Sequence, residues 1–177
     1  MESSPLSIRR VLILAARLVL GALMAYAGWA KLFIPFFGWK GAFLPGISPH
    51  PPVGIALALF ATQIDAYQLL PPWAVTRLAH ALPFVEIALG LLLLIGWRLR
   101  VWASLVSALL VGFFVIVVRT YTLGLTIPCG CFGPGGALTF LTVLRDGVLV
   151  GVSLLFTVLV FLEARSPHPW AAQEKAT

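Results

Sequence analysis

Acidic side chains are nearly missing from this chain. Asp and Glu number six in 177 residues, and charged residues of either sign make up 10% of it. Soluble globular chains carry about 25% charged residues, so an ordinary water-facing surface is excluded. Cysteine is equally scarce, at two, and histidine stands at three. Two cysteines need two further ligands to hold zinc, and His50 and His80 are too scattered to supply them, so no metal site is expected. Haem-ligand pairs, Walker and Rossmann glycine loops, zincin motifs and Ser-His-Asp constellations are also missing, as are internal repeats and low-complexity tracts.

What remains is apolar. The chain is 60% hydrophobic with a mean hydropathy of +1.02, which describes an all-α integral membrane protein. Four segments approach the roughly 20 residues that a bilayer demands: 11–34, 74–97, 101–123 and 140–162. They predict a four-transmembrane-helix bundle in one membrane domain, 11–163. It lies between a short cytoplasmic N-terminus, 1–10, and a polar tail, 164–177. A long first extracytoplasmic loop, Pro35 to Trp73, is rich in proline, glycine and aromatics. Within it Val53 to Ala61 is apolar but too short to span, and with Gln63, Asp65 and Tyr67 it reads as an interfacial or re-entrant helix.

The net charge of +6 raises nucleic acid as a partner, but the basic residues lie at the ends of apolar runs and form no stripe with stacking aromatics. No nucleic-acid partner is expected. The basic residues read as topology signals for a bacterial inner-membrane protein. Arg9 and Arg10, Arg98 and Arg100, and Arg165 and Lys175 all fall on the cytoplasmic side if both termini are inside. Lys31, Lys40, Arg77 and Arg119 run against that count, although residues near helix ends can snorkel to the headgroups. The Arg9-Arg10 start and Ala25-Tyr26-Ala27 resemble a cleaved signal peptide. Arg17 interrupts that apolar run, which continues to Ile34, so a retained span is the better reading. Trp29, Trp39, Trp73, Trp97 and Trp102 fall near span ends and read as interfacial anchors in membrane lipid.

The chemistry-bearing feature is Ile127-Pro128-Cys129-Gly130-Cys131-Phe132-Gly133-Pro134, between the third and fourth spans. Residues two apart point to opposite faces of a helix, but the prolines and glycines break it and allow both sulfurs into one turn. A disulfide closed over one residue removes little unfolded-chain entropy, so it is a poor staple. Strained, exposed disulfides exchange readily, and Cys129 and Cys131 therefore read as a redox-active pair. Arg119 and Arg145 approach the same membrane face and are candidate thiolate stabilisers, with pairing to Asp146 or Glu86 as the structural alternative. Glu86, an acid within a span, needs a partner, for which Arg17, Lys31 and Arg119 are candidates. Arg77 and His80 read as roughly on the face of Glu86, where they mark a candidate site for a quinone headgroup.

The ordered combination of these residues resembles a known family. Gly21, Ala27-Gly28 and Lys31-Leu32 are similar to the opening helix of DoxX-like membrane proteins. Ile64 to Pro71, then Ala81-Leu82-Pro83 with Glu86 and Gly90, resemble the methylamine utilisation MauE branch. Cys129-Gly130-Cys131-Phe132-Gly133 followed by Leu144-Arg145-Asp146 extends the likeness, which runs from about Arg17 to Leu155. The resemblance implies a four-helix membrane protein tied to periplasmic thiol chemistry and to the disulfide-rich methylamine dehydrogenase. The four-helix plan is also similar to the DsbB and vitamin K epoxide reductase groups, which pass electrons from thiols to quinone. Those groups use Cys-X-X-Cys and a second cysteine pair, which this chain lacks. It would exchange with a periplasmic thioredoxin-like or disulfide-containing protein, passing electrons to quinone or another redox protein. The other readings are a non-catalytic assembly or docking subunit of a respiratory or dehydrogenase complex, and a transporter.

Overall fold

The computed structural model describes residues 5–33, 53–125 and 138–165. Their regular elements are five helices: α1 (Pro5–Phe33), α2 (Val53–Ala66), α3 (Pro72–Ile95), α4 (Leu99–Thr122) and α5 (Phe140–Arg165). Four of them contain stretches long and apolar enough to cross a bilayer, Ile8–Phe33, Pro72–Ile95, Leu99–Thr122 and Phe140–Glu163. The expected all-helical, four-span bundle is therefore what the chain forms. At a rise of 1.5 Å per residue, α2 reaches only about 21 Å, short of the ~30 Å hydrocarbon core.

Local chemistry sets the helix ends. Pro72 occupies the first turn of α3, where a missing N–H costs no hydrogen bond. Gly96 ends α3 at φ 80, donating its N–H to Leu92 O, and Arg98 restarts the chain from the left-handed region at φ 45. That turn explains why α3 stops at Ile95, before the expected Trp97, and why α4 already begins at Leu99. The short apolar run at Val53 continues as helix through Gln63 and Asp65 to Ala66.

Helix α1 packs chiefly on α3, and α4 on α5, with α2 laid against α3 and α1. Glycine makes the α1–α3 contact close. A Cβ on Gly28 would collide with Pro83 O, and one on Gly90 would stand 2.6 Å from Ala25 N. Both obstacles are backbone atoms, which cannot swing aside. A core of Leu20, Leu89, Leu93, Val106 and Phe156 joins the four long helices, while Phe60 of α2 packs on Ala79 and Leu82 of α3. Ser107 Oγ ties α4 to α5, donating to Ser153 O at 3.0 Å and lying 2.9 Å from Thr157 Oγ1.

Much of the outer surface is apolar, with Val19, Val115, Leu141 and Leu155 exposed along the helices, as a lipid-facing bundle requires. Trp29, Trp73 and Trp97 are also exposed. At one end of the bundle, Arg9 and Arg10 pair with Glu163 at 3.3 Å, and Glu163 lines a shallow depression together with Arg98 and Arg100. The α2–α3 connection, the end of α4 and the start of α5 lie at the other end.

Candidate functional site

Lys31, near the end of α1, and Glu86, inside α3, form a buried ion pair. Lys31 Nζ stands 2.6 Å from Glu86 Oε2 and 2.8 Å from Oε1, with side chains 3% and 2% exposed. Of the candidate cations Arg17, Lys31 and Arg119, it is Lys31 that meets Glu86. The snorkelling alternative for Lys31 is overturned, because its stem folds back along α1 instead of outward. Its ammonium lies 3.5 Å from Ala27 O and 5.6 Å from the Phe60 ring centroid. The glycine-close approach of α1 to α3 lets these side chains meet. Along α3, Glu86 sits roughly 21 Å from Pro72 and roughly 14 Å from Ile95, deep in the span.

The pair separates two cavities. One, of about 40 Å³, is walled by Leu20, Met24, Phe113, Phe114, Glu86 and Asp146. It exceeds the ~10–15 Å³ a water needs, and two carboxylates border it. The other, of about 100 Å³, lies between α2, α3 and α4, with Lys31, Phe60, Gln63, Tyr67, Leu82 and Phe113 among its walls. Phe113 is common to both. In the sequence Gln63 and Tyr67 read only as marks of an interfacial helix. Their spacing of four from each other, with Phe60 three before Gln63, was the signal that they share a face.

Asp146 is buried, and Arg145 reaches back to it at 2.7 Å through Nη2 and 2.8 Å through Nε. Arg145 thus takes the structural alternative, a pair with Asp146. Arg119 is exposed and makes no ion pair among the described residues. Arg17 takes another role, donating from Nη2 to Leu94 O at 2.6 Å and so capping the end of α3.

Arg77 and His80 are both exposed, whereas Glu86 is buried. Their expected common face is corrected by helix phase, since nine residues at 100° each place Arg77 half a turn from Glu86. Arg77 lies over the Trp73 ring at 5.3 Å, and His80 Nδ1 is 2.8 Å from Thr76 O of its own helix. Neither residue lines the two cavities. Cys129 and Cys131 lie outside the described residues, as do Lys40, Trp39 and His50. No group of three metal-ligating side chains occurs among the described residues.

A family model described as methylamine utilisation protein MauE matches residues 9–159. The chain belongs to the MauE family. The matched MauE stretch contains Lys31 and Glu86, Arg145 and Asp146, and the Cys129-Gly130-Cys131 segment. With its four long apolar helices, this MauE-family chain is a multi-pass membrane protein. No curated protein and no solved structure matches it.

Proposed function

We propose that this MauE-family protein is a thiol–disulfide exchange protein of the bacterial inner membrane, with Cys129 and Cys131 as its working pair. The observation that carries the reading is the placement of the chain's only two cysteines. One glycine apart in sequence, they fall between α4 and α5, whose facing ends at Thr122 and Phe140 lie away from the arginine-rich end of the bundle. By the positive-inside rule the arginine end, with both termini, is cytoplasmic and the cysteine connection periplasmic, where disulfides persist. In one direction a thiolate of the pair attacks the disulfide of a periplasmic partner and forms a mixed disulfide. The second thiolate then displaces the partner sulfur, closing Cys129–Cys131 and leaving a partner dithiol; two electrons and two protons have moved. The other direction is the reverse. The partner is thioredoxin-like or is itself a disulfide-rich enzyme subunit, in keeping with the family's link to methylamine utilisation. Arg119, exposed near the end of α4 and in no ion pair among the described residues, would favour the thiolate.

Trapping tests the reading. Cys129→Ser and Cys131→Ser should each abolish function at normal protein levels, and one of them should accumulate a mixed-disulfide adduct. Full activity in both variants would reject it. Activity lost without an adduct from either variant would favour a non-catalytic docking subunit.

A further inference from the structure

We infer that the depression at the arginine end of the bundle holds the phosphate headgroup of an anionic phospholipid. The depression measures about 570 Å³, within the ~300–1,000 Å³ of small-ligand sites. Its walls include Ile13 of α1, Val160 and Glu163 of α5, and Arg98, Arg100 and Val101 where α4 begins. Five arginines with described side chains gather toward this end, and three of them are engaged by the protein itself. Arg9 and Arg10 meet Glu163, Arg9 also donates to Leu159 O, and Arg17 donates to Leu94 O. Arg98 and Arg100 are exposed and meet no carboxylate among the described residues. Both line the depression. Glu163, the acid in the wall, is already held by two arginines and so does not cancel them. The wall therefore keeps a net positive charge, which calls for an anion.

Depth and apolar surface point to lipid as the source of that anion. Trp97, next to Arg98 in the chain, is 62% exposed, and tryptophans of this kind sit at headgroup level. The Arg98 guanidinium lies over its ring, 5.5 Å from the centroid, and so is held at the same level. Ile13, Val101 and Val160 give the depression an apolar wall, against which the start of an acyl chain can lie. A soluble phosphate would leave that wall uncovered. The first turn of α4 has no side-chain cap, so its N–H groups and helix dipole add to the attraction for a phosphate. Arg98 itself stands at φ 45, a conformation that glycine or asparagine takes at less cost. Basic pockets between membrane helices on the cytoplasmic side bind anionic headgroups in this way. The inference does not rest on the thiol reading.

Native mass spectrometry of the full-length, delipidated protein, titrated with dioleoyl phosphatidylglycerol or dioleoyl phosphatidylcholine, tests the site. One phosphatidylglycerol should bind about tenfold more tightly than phosphatidylcholine, as expected for two arginines at a headgroup. Arg98→Asn with Arg100→Gln should abolish that preference, and asparagine at position 98 still tolerates the left-handed backbone. Arg77→Gln with Arg119→Gln removes the same charge elsewhere and should keep the preference. Excess glycerol 3-phosphate, a headgroup without tails, should not displace the lipid. Equal binding of the two lipids, or an unchanged preference in the Arg98 and Arg100 variant, would overturn the site. An equal loss in the Arg77 and Arg119 variant would mean general charge attraction and would overturn it too. Displacement by glycerol 3-phosphate would reassign the depression to a soluble phosphate and reject the lipid.

Discussion

Replacing Lys31 with methionine should destabilise the protein more than any other single side-chain removal in the bundle. The substitution keeps the length of the stem but removes the ammonium that stands 2.6 and 2.8 Å from the Glu86 oxygens. With 2% of its surface exposed, Glu86 cannot recruit bulk water in its place. Breaking a buried pair on one side costs about 3–5 kcal/mol, mostly as the penalty of the stranded charge. The Phe60 ring loses its cation as well, worth up to about 2 kcal/mol when desolvated. Replacing both partners removes the stranded charge, so Lys31→Met with Glu86→Leu should recover most of the loss. Equilibrium unfolding in mixed dodecylmaltoside and dodecylsulfate micelles measures all three variants in one double-mutant cycle. A Lys31→Met cost under about 1 kcal/mol, the range of a solvated surface pair, would refute the reasoning. So would additivity of the two substitutions.

Three further outcomes follow from the geometry. Gly28→Ala should cost about 1–3 kcal/mol in the same assay, because its new Cβ meets Pro83 O, whereas Gly151→Ala enters open space and should be neutral or better. Arg17→Ala should lose about 1.5–3 kcal/mol by freeing the Leu94 carbonyl, with Arg17→Lys recovering part of it. His80→Ala should leave stability unchanged within about 0.5 kcal/mol, since its ring is exposed and bonded to its own helix; a larger loss would mean that the ring has a partner beyond Thr76.

The helices were legible because lipid makes a strong demand on sequence: about 20 apolar residues per crossing leave little to interpretation. Glu86 was legible for the converse reason, as an acid whose burial requires a partner. Its partner was not. Arg17, Lys31 and Arg119 all carried the right charge, and the choice depends on which helices touch. The deciding signal was the seven-residue spacing of Gly21 from Gly28 and of Pro83 from Gly90, small or flat positions recurring on one face of each helix. Arg77 and His80 look close to Glu86 along the helix, but nine residues put Arg77 half a turn, and six put His80 a third of a turn, from its face. The cavity could not be read at all, because it exists only where α2, laid on α3 and α1, faces α4 across a gap. Gln63 looks like an ordinary interfacial residue until Phe113 is seen across from it.

The reduction potential of the Cys129–Cys131 pair, measured on purified protein against dithiol buffers, tests the exchange mechanism most directly. The mechanism predicts a potential above about −300 mV, with both sulfurs titrating together as a two-electron couple. A value well below that, or thiols that never pair, would mean an inert bond or two unrelated cysteines, and the exchange mechanism would be wrong.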